Sequence, residues 1–239
     1  MLYRKLCLKL IAYLAIPLFL FSCSGYYIDD YRLTSDHVYF QGKKVSSSYT
    51  MESIVNGADR KSFEVLKYST YAVDKDNAYY RDYRIDNADP KTFNAISYNH
   101  AKDKYRVWFK GSPIADADPA SFEVIKGWWM AKKVWNWSKD SKRAYIKTRS
   151  VNVCDIESFK VLDLRSYWDG FRGLSYYSLP EDNWQIDKKC AYYNGNMLPS
   201  VDIETFHPLS NVYAKDKNKV YVRDSVEEGA DPKSFKVNK

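Results

Sequence analysis

Tyr213-Ala-Lys-Asp-Lys-Asn-Lys-Val-Tyr-Val-Arg-Asp224, followed closely by Ala230-Asp-Pro-Lys-Ser-Phe235, is one of six versions of the same passage in this chain. Close versions are Tyr71-Ala-Val-Asp-Lys-Asp-Asn-Ala-Tyr-Tyr80 with Ala88-Asp-Pro-Lys-Thr-Phe93, and His100-Ala-Lys-Asp-Lys104 with Ala117-Asp-Pro-Ala-Ser-Phe122. An internal repeat decides the fold before any other signal does. The offsets are fixed: an aspartate stands four residues before a phenylalanine at Asp59, Asp89, Asp118, Asp155, Asp202 and Asp231. Ten residues before five of these stands an aromatic, Tyr79, Trp108, Tyr145, Tyr192 or Tyr221. Five residues earlier again is a second aspartate, Asp74, Asp103, Asp140, Asp187 or Asp216, with Tyr71, His100, Trp137, Trp184 or Tyr213 three residues before it.

Tyr and Val on either side of Asp-Lys-Asn-Lys have the composition of a hairpin with a polar turn, which predicts strands at 211–215 and 219–223. The Asp-Pro-Lys-Ser-Phe step predicts one short helical turn, with Asp as N-cap and Pro at the first helical position. The phenylalanine closes that turn onto the core, and a third short strand such as Glu123-Val-Ile125 follows. A unit of about 30 residues cannot bury its apolar face alone and has to stack on its neighbours. The expected fold is therefore all-β: six tandem hairpin repeats stacked as a solenoid-like array. A propeller-like closed array is the alternative, although propeller blades ordinarily use four strands and about 40 residues.

Outward from the repeat, residues 1–22 open with Arg4, Lys5 and Lys9, run apolar from Leu10 to Phe21 and reach Leu20-Phe-Ser-Cys23. That is the layout of a secretory signal, too short for a comfortable membrane span. Leu20-Phe-Ser-Cys23 resembles a bacterial lipobox, which implies cleavage before Cys23 and acylation there. Acyl chains at about 0.8 kcal/mol per buried methylene would hold the chain on a membrane without a spanning helix. Residues 23–34 are expected to be a tether and residues 35–239 the repeat domain. Removing the three basic residues of the leader takes the net charge from +7 to +4, with the remaining Lys and Arg dispersed among Asp and Glu. Nucleic acid is accordingly not an expected partner.

The first copy is degenerate. Thr34 replaces the turn aspartate, and Tyr39 lies 20 residues before Asp59, the excess including the polar run Gly42–Ser48. Two inserts break the later rhythm, and both fall between a phenylalanine and the next hairpin: one between Phe122 and Asp140, the other between Phe159 and Asp187. They carry Trp128, Trp129, Trp135 and Trp168. Inserts at one joint of a stacked array project from one edge, and loops on a rigid scaffold are where binding is carried. These four tryptophans are the candidate contacts for a protein or glycan partner; the competing reading is a satellite core between irregular units.

The runs Asp-Lys-Asn-Lys-Val-Tyr-Val and Asp-Lys-Asp-Asn-Ala-Tyr-Tyr resemble the DKNYY repeat family of bacterial proteins, and the resemblance covers essentially everything after residue 35. It implies a secreted or envelope-attached protein, often a lipoprotein, with no established activity. The chain carries no Gly-x-Ser-x-Gly, His-Glu-x-x-His or phosphate-binding glycine loop. His100 stands at an aromatic position of the repeat and reads as a structural substitute for Tyr. Lysines interleave the turn aspartates, and the spacing lacks the glycine and distal glutamate of a calcium loop. No enzymatic activity, metal or cofactor is therefore expected. Of four cysteines, Cys7 leaves with the leader and Cys23 would be acylated. Cys154 and Cys190 remain, at different repeat positions: an extracytoplasmic compartment permits them to pair, and separate thiols are the alternative. The expected function is a lipid-anchored, non-enzymatic binding or scaffold module of the bacterial envelope. A carbohydrate-binding or carbohydrate-active surface protein and a structural spacer are the alternatives.

Overall fold

The computed structural model describes residues 26–28, 30–44, 50–125, 136–162 and 184–237. The leader, Cys23, and Trp128, Trp129, Trp135 and Trp168 lie outside them. The regular structure of the described residues is all β: 24 short strands form six four-stranded antiparallel sheets, each a meander in chain order. Sheet two shows the pattern, with strands Glu64–Val65, Tyr71–Val73, Ala78–Tyr80 and Tyr83–Ile85. Tyr71 faces Tyr80, Ala72 faces Tyr79 and Val73 faces Ala78, so the hairpin has the register that the aromatic alternation requires. The corresponding hairpins are His100–Lys102 with Val107–Phe109, Trp137–Lys139 with Ala144–Ile146, Trp184–Ile186 with Ala191–Tyr193, and Tyr213–Lys215 with Val220–Val222.

Three features differ from the sequence expectation. The strand after each phenylalanine belongs to the next hairpin: Glu123–Val124 pairs with Trp137–Lys139. By that point the chain has left its own sheet, and the open edge available to it is that of the following unit. Each unit also has a fourth strand, such as Tyr83–Ile85, Arg149–Val151 or Ser225–Val226, which in sheets two to six is entered through a tight turn whose first residue takes positive φ, 51–57° at Arg81, Lys110, Lys147, Asn194 and Arg223. Non-glycine residues seldom adopt that conformation, so most of these turns carry no sequence signal.

The expected single turn at Asp-Pro is present, closed by Thr92 N–H to Asp89 O at 3.2 Å and Ser234 N–H to Asp231 O at 3.2 Å, and it also forms at Asp59-Arg60, where Ser62 N–H bonds Asp59 O at 3.1 Å; among the described residues there is no helix longer than this turn. Part of the expected tether is structured as well. Tyr26–Ile28 and Tyr31–Leu33 are the first two strands of sheet one, and Tyr31 and Leu33 are buried. Their apolar side chains occupy the places that Tyr71 and Val73 hold in sheet two. The excess residues of this copy lengthen its last strand pair, Val38–Lys44 with Thr50–Ile54, through a register shift.

The core is divided among the joints between sheets. Tyr31, Leu33, Val38 and Phe40 of sheet one pack with Phe63 against Ala72 and Tyr79 of sheet two. The opposite face of sheet two, Tyr71, Ala78, Tyr80 and Ile85, packs with Phe93 against Ala101 and Trp108 of sheet three. The next three joints repeat this around Phe122, Phe159 and Phe206. Each phenylalanine is a wedge between an aromatic of its own unit and one of the next, as in Tyr71–Phe93–Trp108, with ring centroids 6.0 and 5.4 Å apart. Four strands per unit remove the strand-count objection to a propeller. The clusters are nevertheless all shared by consecutive sheets, and among the described residues none joins the first sheet to the sixth.

Candidate functional site

The polar chemistry of the repeat converges on the turn aspartates, which are 2–5 % exposed. Asp74 Oδ1 accepts the amides of Asp76 at 2.8 Å and Asn77 at 2.7 Å, which shapes the hairpin tip. Its Oδ2 accepts the Tyr79 hydroxyl at 2.7 Å and, across the joint, the amide of Asp59 at 2.8 Å. The cross-joint bond recurs from Asp89 to Asp103, Asp118 to Asp140, Asp155 to Asp187 and Asp202 to Asp216. The hydroxyl bond recurs at Tyr145, Tyr192 and Tyr221; Trp108 has no hydroxyl to offer. The five-residue spacing is thus that between a carboxylate on the tip and a phenol two positions into the returning strand.

A second set of bonds closes each joint. Ser62 donates to Asp59 Oδ2 at 2.8 Å and accepts the amide of Lys75 at 3.1 Å. Thr92, Ser121, Ser158 and Thr205 accept the amides of Lys104, Ser141, Lys188 and Lys217 in the same way. The lysine after the tip aspartate then reaches the aspartate four residues before the phenylalanine: Lys104 to Asp89 at 3.3 Å, Lys188 to Asp155 at 2.7 Å and Lys217 to Asp202 at 2.6 Å.

These bonds set the electrostatics. The Lys188 ammonium, with the amide and hydroxyl of Ser158, lowers the Asp155 carboxyl to about 2. Burial opposes ionisation of Asp140 and Asp216, yet hydrogen bonds from Tyr145 or Tyr221 and from backbone amides outweigh it and hold both below the usual carboxylate range. Burial first, and the carboxylate bond second, push the phenols of Tyr79, Tyr145 and Tyr221 well above their ordinary value. A carboxylate that already accepts four donors has little capacity left to bind a cation or take up a substrate proton. Among the described residues no cluster of His, Cys, Asp or Glu is arranged to hold a metal.

Cys154 and Cys190 form a disulfide with Cα atoms 6.1 Å apart. Both flank one carboxylate: Cys154 N–H reaches Asp187 Oδ2 at 3.0 Å and Cys190 N–H reaches Asp187 Oδ1 at 2.8 Å. The bridge therefore crosses the same joint as the aspartate. Aligning the repeats hides this proximity, because it arises between consecutive units.

His100 is fully buried, with its ring edge-on to Phe109 at 5.0 Å and tilted on Phe122 at 5.9 Å. In the units on either side of the inserts, the aromatic at this position ties its polar tip to the connection of the next unit. Tyr71 donates to Asn99 O at 2.7 Å and Trp184 Nε1–H donates to Ser210 O at 2.8 Å. Among the described residues His100 Nε2 and Trp137 Nε1 have no such partner. These are the two units followed by an insert.

The inserts leave and return at equivalent places. Ile125 N–H bonds Trp137 O at 3.1 Å and Leu162 N–H bonds Trp184 O at 2.9 Å, as Leu66 N–H bonds Tyr71 O in a unit without an insert. Both therefore replace the short connection between the first and second strands. In sheets two and three that connection presents Tyr68 and Tyr98, edge-to-face at 5.2 Å, with Tyr98 49 % exposed. Chain positions before and after each insert thus lie on one edge of the array, which carries Tyr68 and Tyr98 in sheets two and three and the non-aromatic Leu209-Ser-Asn-Val212 in sheet six.

The DKNYY family model matches residues 71–225. The chain belongs to the DKNYY family. The match spans the five hairpins from sheet two to sheet six and stops at Ser225, the first residue of the last strand of sheet six, so it contains all five turn aspartates. Comparison with curated proteins and with solved structures found no match for this DKNYY protein.

Proposed function

We propose that this DKNYY protein is a lipid-anchored scaffold of the bacterial envelope, without enzymatic activity, that presents an aromatic edge to a partner. The observation that carries the reading is the placement of Tyr68 and Tyr98 on the connection that both tryptophan-bearing inserts replace. The repeated carboxylates support it from the other side, since hydrogen bonds inside the joints consume them. A glycan is the second reading, because rings aligned along a rigid edge suit the apolar faces of sugar rings.

Two measurements test the proposal. Metabolic labelling with an alkyne fatty acid should mark the native chain and not Cys23→Ala; equal labelling of both removes the anchor. Tryptophan emission of a soluble chain starting at Ser24, titrated with envelope glycans and with envelope extract, should respond and lose amplitude in Tyr98→Ala. A response to glycans favours the second reading. Silence towards both leaves a spacer, with no binding edge.

A further inference from the structure

The repeat supplies its own controls, and at one joint three of its positions depart together. The residue before the aspartate that precedes the phenylalanine is Ala58, Ala88, Ala117, Val201 or Ala230, but Cys154 in unit four. The third residue after the tip aspartate is Asn77, Arg106, Arg143 or Lys219, but Cys190 in unit five. On the fourth strand Arg84 faces Tyr79, Pro113 faces Trp108, Ser150 faces Tyr145 and Val226 faces Tyr221, whereas Met197 faces Tyr192. Three positions that are separate in the sequence thus turn to sulfur at the joint between sheets four and five and at no other.

The three sulfurs converge in space. Cys154 and Cys190 are bonded to each other, and Met197 Sδ lies 3.7 Å from Cys154 Sγ. Cys154 is exposed, Cys190 is half-buried and Met197 is 60 % exposed, so the group opens to solvent. The cysteine backbones are held independently of the disulfide. Asp187, 2 % exposed, accepts the Cys154 amide at 3.0 Å and the Cys190 amide at 2.8 Å, and Cys154 N–H also meets the Tyr192 hydroxyl at 2.7 Å. Cutting the S–S bond leaves those bonds in place, which is the preorganisation a metal site needs.

Two thiolates and a thioether form a soft donor set suited to Cu(I). Zinc ordinarily completes four-coordination with thiolate, imidazole or carboxylate, and among the described residues no third Cys, His, Asp or Glu joins the two cysteines for it. With metal–sulfur bonds of about 2.3 Å, ligand sulfurs stand about 3.8–4.0 Å apart, close to the spacing Met197 already keeps from Cys154.

We infer that the joint between sheets four and five is a redox-gated site for Cu(I), held by Cys154, Cys190 and Met197 once the disulfide is reduced. A dithiol reductant delivers two electrons and two protons to the S–S bond and leaves as its own disulfide. Cu(I) then displaces the two thiol protons, and Met197 Sδ donates a lone pair as the third ligand. In the oxidised chain neither cysteine can supply a thiolate, so the gate is the disulfide itself. The inference rests neither on the lipid anchor nor on the aromatic edge.

The test uses the whole chain in detergent with Cys7→Ser and Cys23→Ser, so that Cys154 and Cys190 are its only cysteines. It is titrated anaerobically with Cu(I) against the chelator bicinchoninate, before and after reduction by a phosphine. The reduced chain should withhold one equivalent of Cu(I) and the oxidised chain none. Met197→Leu, a volume-conserving change at an exposed position, should weaken retention at least ~10-fold, or about 1.4 kcal/mol. Copper-edge X-ray absorption should show three sulfur neighbours, one of them replaced by selenium in selenomethionine-labelled chain. Zn(II) binding to the dithiol should be indifferent to Met197→Leu; a parallel loss would give Met197 a packing role and overturn the three-sulfur site. Equal Cu(I) retention by native and Met197→Leu chains overturns the inference. So does equal retention by the reduced chain unfolded in urea, or by the oxidised chain, since neither needs the folded joint with its thiolates.

Discussion

One residue shows how far the repeat constrains chemistry. His100 replaces a tyrosine whose hydroxyl would reach the next unit, and burial lowers its imidazole to about 4 from an ordinary 6.5. The folded value lies below the unfolded one, so between pH 6.5 and pH 4 the unfolded chain binds more protons. Stability therefore falls as pH drops through that window, by about 3 kcal/mol once it is crossed. Urea denaturation at pH 7 and pH 4.5 should show a loss that His100→Tyr largely removes. That variant should also gain about 1 kcal/mol at pH 7 if its hydroxyl finds Asn136 O as Tyr71 finds Asn99 O. Asp140 and Asp216, held below the usual range, stabilise above the carboxylate range and lose that contribution only in stronger acid. Their effect separates from that of His100 on the pH axis. Asp216→Asn should cost about 2–3 kcal/mol, because an amide nitrogen would face backbone donors, whereas Tyr221→Phe should cost about 1 kcal/mol.

Among the elements, the hairpins were legible in sequence because Tyr and Val alternate around a polar tip, and the expected 211–215 and 219–223 contain the observed Tyr213–Lys215 and Val220–Val222. The phase of the unit was not legible. A two-residue strand such as Asn94–Ala95 has no periodicity, and which hairpin it joins depends on tertiary geometry alone. The fourth strand was hidden for a related reason, since its turn tolerates Arg81 and Lys147 at positive φ. Glycine is required where the turn also meets a neighbour. At Gly195, φ +80°, an added Cβ would stand 2.6 Å from Val151 Cγ2 of the preceding sheet. Gly195→Ala should cost about 2 kcal/mol and act at the joint between sheets four and five. The disulfide spans the same joint. Chain entropy for its 36-residue separation predicts a loss of roughly 4 kcal/mol on Cys154→Ser with Cys190→Ser, measured by denaturation with and without reductant. The aspartate-centred joint itself was half legible: bonding within the tip follows from residue type, while the bond to the preceding unit needs both units in place.

For the whole molecule, stability is a sum over units and joints rather than a property of one central core. Phe93→Ala should cost about 3–5 kcal/mol and disturb sheets two and three more than sheet six, which amide exchange would resolve. Because the tip aspartate serves the turn behind it, the natural cut in the chain lies just after a phenylalanine and not at the start of a hairpin. Excising residues 94–122 would join Phe93 to Glu123 and hand the Asp89 amide to Asp140, leaving each donor with an acceptor of the same kind. Excising only the hairpin 100–109 would strand the Asp89 amide and split a meander. The length of such a protein is therefore free to change by whole cassettes in this one reading frame of the fold.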